Sequence, residues 1–387
     1  MSTIHKPRIL ISCLSGEIFG GGEMHAFALC KLLKNAGYHV TMLVNDHTAL
    51  HQRLVAEGLP CHSINARWIQ KKVRALFCWI IARRMHAICK RENIDIIHCN
   101  VREEVISAAR AARNTSIKIV FTRHIPDDFD VKKIGKAHAV IGVTTPITTY
   151  IEQENIRRCV EIPHVKAIAP FFDAERLTSF VPEETRKSFF ARNFNVAIKP
   201  LPLLCVIGNM GTDPRHKSHH LLFAALRYLK ENFGLKIQAV LAGDGPTRQR
   251  LEQEVQEQGL GDYVHFLSAT NKVPGILYYS DFMVLPSMKE ALGLVYAEAG
   301  MMRKASIGAY GTGAEIILKH EVTGLLFKNG DALDLAHAIK QLVENPTFAQ
   351  QLGTNAYTHI TQNFAPHITF AQHEQLYEQL VQPHQPQ

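Results

Sequence analysis

The sequence predicts an α/β protein with two Rossmann-like, doubly wound domains that face each other across a cleft. Short apolar runs alternate with amphipathic helical stretches in the first half, the alternation stops in a polar, proline-containing stretch, and it then starts again. At 387 residues the chain is also too long for one ordinary core. We therefore expect an N-terminal domain at 1–185, a linker at 186–200, a second domain at 201–360, and a helical tail at 361–387 that packs back toward the first domain.

The elements of both domains follow from periodicity. In the first domain the apolar runs predict strands at 9–14, 39–44, 94–98, 118–122, 139–143 and 160–162, with helices at 23–35, 50–57, 71–91 and 103–113. In the second domain the same patterns predict strands at 203–207, 236–242, 264–266, 282–285, 305–308 and 324–327, with helices at 220–231, 247–258, 273–278, 294–302, 313–318 and 332–344. Such alternation implies parallel strands, and ligands then bind beyond the strands' carboxyl ends.

Composition excludes several classes of protein. The eight cysteines show no C-x-x-C spacing, which favours reduced thiols in the cytoplasm over a zinc site or a disulfide framework. The longest apolar run, at 75–82, is much shorter than the ~20 residues of a membrane span. The chain contains neither G-x-G-x-x-G nor G-x-x-x-x-G-K-[ST], which speaks against a dinucleotide oxidoreductase and a P-loop ATPase.

The net charge of +8 comes from the first 180 residues, which hold 25 Lys and Arg against 16 Asp and Glu. Eight of these cations fall between Glu57 and Glu92, where no acidic residue occurs. On the helix predicted there, one face carries Lys72, Trp79, Arg83, His86 and Lys90. A tryptophan among cations is typical of a helix lying on an anionic membrane, and a solvated basic face is the alternative. Nucleic acid is not expected, because no reading motif accompanies the charge.

Two glutamates mark the fourth strand of the second domain. That strand ends at Pro286-Ser287, so Glu290 lies in a loop at the strand's carboxyl end, and Glu298 lies about one turn into the next helix. The amides near Gly293 and Leu294 would begin that helix, where anions bind. A ligand with both phosphate and sugar hydroxyls would satisfy the amides and the carboxylates. The alternative is a capping Glu290 and a solvated Glu298.

The order of strand, Pro-Ser, Glu290, seven residues and Glu298 resembles the signature of the family 4 retaining glycosyltransferases, which have the GT-B fold. Further segments resemble that family in order and spacing over nearly the whole chain: Gly20-Gly-Gly-Glu23, Gly37-Tyr-His-Val40, Asp95-Ile-Ile-His98, Leu241-Ala-Gly-Asp-Gly-Pro246, Val264-His-Phe-Leu267, Tyr279-Ser-Asp-Phe282 and Thr323-Gly-Leu-Leu-Phe327.

This resemblance implies a role for each matching residue in the second domain. Glu290 would contact the hydroxyls of the donor sugar, Glu298 the ribose, and Lys217 the donor diphosphate, with the amides of Gly293 and Leu294 completing the phosphate site. Similar enzymes carry an arginine where this chain has Asn209, and Arg215 is a candidate substitute. If nothing fills that place, the enzyme is weakened or inactive.

In the first domain the resemblance places His124 opposite the reacting sugar, although a purely structural histidine is the alternative. His98 is expected to be a packing or acceptor-side residue. Gly21 and Gly22 would bring flexible backbone close to a phosphate or acceptor, or they form a plain turn before a helix. Asp128-Phe-Asp130 matches the metal motif of another transferase fold and is read as chance, so we expect no metal and no cofactor beyond the nucleotide sugar.

The function expected is therefore retaining transfer of a hexose from a nucleotide-diphosphate sugar to a glycan or lipid-linked acceptor, in cell-envelope polysaccharide or lipopolysaccharide synthesis. Such an enzyme would be cytoplasmic, with peripheral attachment to the inner face of the cytoplasmic membrane if the basic helix binds lipid. The alternatives are a non-catalytic nucleotide-sugar-binding relative and a nucleotide-sugar epimerase of the same fold.

Overall fold

A computed structural model describes residues 6–14, 20–65, 74–124, 131–172, 174–213 and 217–382. The chain forms two compact units. Unit 1 consists of Met1–Phe172 and Pro366–Gln387, and unit 2 consists of Asp173–Ala365.

The described residues form strands and helices that alternate along the chain. The strands are β1 Ile9–Cys13, β2 Val40–Asn45, β3 Cys61–Ile64, β4 Ile96–Cys99, β5 Lys118–Arg123, β6 Ala139–Gly142, β7 His164–Ala167, β8 Leu203–Ile207, β9 Gln238–Ala242, β10 Val264–Leu267, β11 Phe282–Val284, β12 Ser306–Ala309 and β13 Leu325–Phe327. The helices are α1 Gly21–Asn35, α2 Ala49–Ala56, α3 Arg74–Glu92, α4 Glu104–Ala111, α5 Val131–Ile134, α6 Thr145–Arg158, α7 Ala174–Thr178, α8 Arg186–Phe194, α9 His219–Phe233, α10 Arg248–Glu257, α11 Val273–Tyr279, α12 Leu294–Met301, α13 Ala314–Ile317, α14 Ala332–Glu344, α15 Pro346–Asn363 and α16 Pro366–Val381.

Unit 1 contains a seven-stranded parallel sheet in the order β3-β2-β1-β4-β5-β6-β7. Ile9 of β1 pairs with Val40 on one side and Ile96 on the other, so the strand order reverses between β1 and β4. The central strands β1 and β4 are buried along their whole length, as is usual for parallel sheets with helices on both faces. The final helix, α16, belongs to this unit and contributes the fully buried Leu376 and Tyr377 to its core.

Unit 2 contains a six-stranded parallel sheet in the order β10-β9-β8-β11-β12-β13. Its strand order reverses between β8 and β11, which makes the carboxyl ends of these two strands the expected ligand position. The two parallel sheets confirm the prediction of two Rossmann-like domains.

The predicted linker at 186–200 is wrong. Residues Arg186–Phe194 form helix α8, and this segment lies well inside unit 2, which begins at Asp173. Thr185 caps α8 by accepting the amide of Ser188, and Phe190 is fully buried. The prolines at 200 and 202 suggested a linker, but the phenylalanines that precede them pack into the unit. The tail likewise begins at Pro366 instead of 361, because 346–363 is one continuous helix in unit 2.

Candidate functional site

Lys217 and Glu290 form an ion pair at the carboxyl edge of the unit 2 sheet. Lys217 follows β8 and Glu290 follows β11, so the side chains come from the two strands at which the strand order reverses. Nζ of Lys217 lies 2.6 Å from Oε2 of Glu290, and the side chains are only 18% and 12% exposed. A cation and a carboxylate placed here can receive a phosphate and a hydroxyl group of one ligand.

Four hydrogen bonds fix the loop that carries Glu290. They hold it to the next helix, to the start of α9 and to two later loops, so the carboxylate sits on a backbone anchored at several points. The bonds run from Tyr296 Oη to Leu285 O (3.1 Å), from Met288 N to Ser218 Oγ (3.3 Å), from Asn329 Nδ2 to Met288 O (3.1 Å) and from Gly313 N to Glu290 O (2.8 Å).

Two of these anchors depend on the residue type. A Cβ at Gly313 would lie 1.9 Å from the carbonyl oxygen of Ala291, so only glycine allows the loop to approach this closely. Burial, and then the charge of Glu290, raise the pKa of Tyr296 well above its usual value. The phenol therefore stays protonated and donates to the Leu285 carbonyl.

Helix α12 begins directly after this loop. Gly293 is its N-cap with φ +72°, and a Cβ there would lie 2.5 Å from the Tyr296 ring. In the first turn the amide of Tyr296 already donates to Gly293 O at 2.9 Å, so the amides of Leu294 and Val295 are the ones that can bind an anion. Glu298 is half-buried and lies one turn after Leu294 on the same side of the helix. The predicted phosphate site and ribose contact thus lie on consecutive turns.

The loop after β8 contains the departure from the family pattern. Gly208 lies under the Lys217 stem, where a Cβ would come within 3.1 Å of Cε, and the following Asn209 is exposed. The loop is anchored by the amide of Met210, which donates to Asp244 O at 2.9 Å. Arg215, the predicted substitute for the missing arginine, lies outside the described residues.

His124 directly follows β5 at the carboxyl edge of the unit 1 sheet. Its Nε2 lies 3.3 Å from Oδ1 of Asn100, and Gly22 lies beside the ring, where a Cβ would be 3.6 Å from Cδ2. Burial lowers the pKa of His124 to about 4, although part of the residue remains exposed. The imidazole is therefore neutral near pH 7 and acts as a hydrogen-bonding group.

Gly21 and Gly22 form the first turn of α1, so they belong to the helix itself and not to a turn that precedes it. The N–H of Gly20 donates to Oε2 of Glu23 at 3.0 Å, which caps the helix. Gly20, Gly21 and Gly22 are not among the described glycines with positive φ. A contact between these glycines and the donor remains a prediction.

His98 is a packing residue. It is fully buried, with Nδ1 2.6 Å from Tyr377 Oη and Nε2 2.7 Å from Thr122 Oγ1. Both ring nitrogens are thus engaged inside the unit, and no acceptor-side role is left for this side chain.

Sequence reasoning missed Glu104, a carboxylate at the position where the strand order of unit 1 reverses. Its Oε1 accepts the amide of Leu14, directly after β1, and its Oε2 accepts the amide of Val101 at 3.4 Å. Burial raises the pKa of Glu104 to about 7. An acidic residue in the first turn of a helix that follows a strand was the available signal, although such residues more often serve only as caps.

Helix α3 shows the predicted basic face. The indole of Trp79 is 50% exposed, and the Arg83 guanidinium lies 4.6 Å from the centre of its ring. Arg83, Arg84 and Lys90 are exposed, whereas Ile81, Met85 and Ile88 are buried against the unit. Lys72 lies outside the described residues. Within the described ranges, no helix combines the length and the apolar character needed to cross a membrane.

All eight cysteines are free, and Cys159 is the exposed one. Asp128 and Asp130 lie outside the described residues. In the part of the chain that the structure describes, no group of three or more His, Cys, Asp or Glu side chains is arranged to hold a metal ion.

Both halves of the chain match known protein families. Residues 19–164 match the model of Glycosyltransferase Family 4, and residues 202–359 match that of Glycosyl transferases group 1. The chain is 25% identical to N-acetyl-alpha-D-glucosaminyl L-malate synthase of Bacillus anthracis, over 96% of this chain and 97% of that protein. It is 31% identical to the lipopolysaccharide core biosynthesis glycosyltransferase LpsD of Rhizobium meliloti, over 40% of this chain and 43% of that protein.

Solved structures share the fold over almost the full length. A glycosyltransferase from Rickettsia africae superposes with a TM-score of 0.82 at 18% identity, covering 98% of this chain and all of that one. Anabaena HepE in complex with UDP-glucose superposes with a TM-score of 0.79 at 20% identity, covering 96% of this chain and 99% of that one. At these identities both superpositions show similarity of fold only.

The two parallel-sheet domains, which superpose on a solved glycosyltransferase over almost the full length, have the GT-B fold. The chain belongs to the family 4 glycosyltransferases.

Proposed function

We propose that this protein transfers a hexose from a nucleotide-diphosphate sugar to a glycan or lipid-linked acceptor and retains the anomeric configuration. The observation that carries the proposal is the Lys217–Glu290 pair, held at 2.6 Å on an anchored loop at the carboxyl ends of β8 and β11. In the structure the two charges satisfy each other. A donor that presents a diphosphate and sugar hydroxyls offers each of them a partner of its own.

Each group of the donor then has a partner in unit 2. Lys217 binds the diphosphate and offsets the negative charge that grows on it as the sugar departs. The first-turn amides of α12 bind the same anion, while Glu290 accepts hydrogen bonds from the sugar hydroxyls and Glu298 from the ribose. In unit 1, His124 hydrogen-bonds a hydroxyl of the transferred sugar.

The transfer step needs no nucleophile from the protein. The bond between the anomeric carbon and the phosphate oxygen breaks, and the acceptor oxygen bonds to the anomeric carbon on the same face. The acceptor's hydroxyl proton passes to an oxygen of the departing phosphate. Lys217 and the α12 amides stabilise the charge on that phosphate until the proton arrives, so the nucleotide diphosphate leaves protonated once.

The names of the relatives suggest which acceptors to test. LpsD is named for lipopolysaccharide core biosynthesis, which supports an envelope glycan as the acceptor. The Bacillus anthracis relative, which aligns over nearly the whole chain, is named for L-malate, so a small carboxylic acid belongs in the acceptor panel as well.

A panel of nucleotide sugars tests the donor. A ligand that binds only the folded state raises the melting temperature, so the true donor should stabilise the protein more than its free sugar or an unrelated nucleotide does. Release of nucleotide diphosphate, faster with acceptor than without it, should follow for that donor. No stabilisation by any nucleotide sugar would overturn the proposal.

Asn209 favours one other function, a nucleotide-sugar-binding protein without turnover, because it replaces a cation on the leaving group. That alternative predicts stabilisation by a nucleotide sugar with no release of nucleotide diphosphate in the presence of any acceptor. Restoring the charge with Asn209→Arg would then produce activity.

We also propose that α3 places the enzyme on an anionic membrane surface. An exposed indole beside Arg83, with Arg84 and Lys90 exposed further along the same helix, provides an apolar group and positive charge on the exposed side of α3. Removing two cations near a membrane costs about 1 kcal/mol each, so Arg83→Ala with Lys90→Ala should weaken binding to phosphatidylglycerol vesicles about thirtyfold. Lys187→Ala with Lys236→Ala makes the same charge change on exposed residues of unit 2. Equal binding by the two double variants would contradict this placement.

A further inference from the structure

Asn100 lies between Ser12 of β1 and His124, directly after β4, and it is 7% exposed. Its main-chain N–H donates to Ser12 O at 2.9 Å, and its side-chain Nδ2 lies 3.4 Å from the same oxygen. A carbonyl oxygen can only accept, so the amide nitrogen of Asn100 faces Ser12. The side-chain Oδ1 must then face His124.

That orientation fixes the proton on the histidine. Oδ1 of Asn100 lies 3.3 Å from Nε2 of His124 and can only accept, so Nε2 carries the hydrogen. In a neutral ring Nδ1 then has a free lone pair. A ring nitrogen of this kind accepts from a hydroxyl and cannot bind a phosphate oxygen.

The surroundings of His124 oppose a second proton. His25 of α1 packs against it with ring centroids 5.3 Å apart, and His25 is itself fully buried with Nδ1 accepting the amide of Phe171. His98 of β4 is a further buried titratable group whose charge would repel one on His124. Burial lowers the pKa values of all three rings, and the charges of His124 and His373 lower the pKa values of His25 and His98 further. A neutral His124 is thus what the whole cluster favours.

We propose that Asn100 is a positioning residue for sugar transfer, which holds His124 as the neutral tautomer with its proton on Nε2 and keeps Nδ1 free to accept a hydroxyl of the transferred sugar. The proposal rests on the proposed function for its link to catalysis. The tautomer itself depends only on contacts within unit 1.

Nitrogen-15 NMR of the full-length protein labelled at histidine reads the tautomer directly, with the His124 signals identified by their loss in His124→Gln. At pH 7 the wild-type ring should show a protonated Nε2 and an unprotonated Nδ1. In Asn100→Ala this preference should relax to a mixture, and in Asn100→Asp the new carboxylate should bring a second proton onto the ring. A wild-type ring protonated on Nδ1, or an unchanged tautomer in Asn100→Ala, would overturn the proposal.

Kinetics then separate positioning from folding. Asn100→Ala should lower kcat about 10²-fold with a much smaller change in the donor KM, because misplacing a group by about 1 Å costs that much. Thr122→Val is the matched control, since it removes the hydrogen bond between Thr122 of β5 and a different buried histidine, His98 of β4. An equal loss of kcat in both variants would assign Asn100 a merely structural role. If wild type turns over no nucleotide sugar, the proposed function fails, while the NMR result still decides the tautomer.

Discussion

Replacing Glu290 with glutamine removes the charge of the carboxylate and almost none of its volume. A hydrogen bond to a charged group contributes about 1.5–3 kcal/mol, so loss of the charge toward the sugar hydroxyls should lower kcat/KM by roughly 10²-fold. The ion pair with Lys217 is also lost, but an amide oxygen still accepts from Nζ at the same place. Because the amide keeps this hydrogen bond, we expect a stability loss of only about 1 kcal/mol and a fall of about 2–4 °C in Tm.

Nucleotide diphosphate release and thermal unfolding, measured on the same preparations, test both numbers. Glu184→Gln is the matched control, because Glu184 is likewise 12% exposed and pairs with Arg192 at 2.5 Å. The control should lose a similar amount of stability and keep wild-type kcat/KM. An unchanged kcat/KM in Glu290→Gln, or the same loss in both variants, would remove Glu290 from the donor site.

Four further outcomes follow from the same contacts. Lys217→Met should weaken binding of the nucleotide diphosphate by at least tenfold by calorimetry, and the remaining affinity should depend less on salt. Gly313→Ala, which would place a methyl group 1.9 Å from Ala291 O, should cost about 1–3 kcal/mol in urea unfolding and also lower kcat by moving the Glu290 loop. Chelators should leave turnover unchanged if Lys217 and the α12 amides are the groups that stabilise the leaving phosphate. Acid should destabilise the fold: burial lowers the pKa of His25, His98, His124 and His373 below the ordinary 6.5, so their stabilisation is complete above pH 6.5 and is lost toward pH 4. Each histidine costs about 1.4 kcal/mol per pH unit in that window, which urea unfolding at pH 7, 6 and 5 would measure. Glu104 has the opposite effect on stability, because its pKa is raised to about 7 and its protonation stabilises the fold as the pH falls. It is a single group, whereas four histidines act in the other direction.

Periodicity located the central strands because parallel strands buried on both faces are continuous apolar runs. It failed at the edges of the unit 1 sheet. Cys61–Ile64 is a half-buried strand with polar residues and was not predicted, and the last strand lies at His164–Ala167 instead of 160–162. Such short edge strands contain no apolar run or alternating pattern that is long enough to distinguish them from loops. Helix α6 was missed for a related reason, since its thirteen residues after Thr145 include few apolar ones.

The residues of the candidate site likewise divide into those that the sequence could predict and those that it could not. Glu290 and Glu298 could be found because a loop at a strand's carboxyl end and the following helix are local in sequence. The ion pair with Lys217 joins residues 73 positions apart, and the Asn100–His124 contact depends on β4 and β5 being neighbours in the sheet. Neither Asn100 nor Glu104 stands out in the chain, because the role of each depends on burial and on partners elsewhere in the sequence: Ser12 and His124 for Asn100, and the amide of Leu14 for Glu104.

The anomeric configuration of the product tests the central claim most directly. With the donor identified from the panel, proton NMR of the first product formed should show the anomeric coupling of the donor sugar, and nucleotide diphosphate should appear in equal amount. A product of inverted configuration would contradict the retaining mechanism. Binding of the nucleotide sugar with no transfer to any acceptor would contradict the assignment as an active transferase.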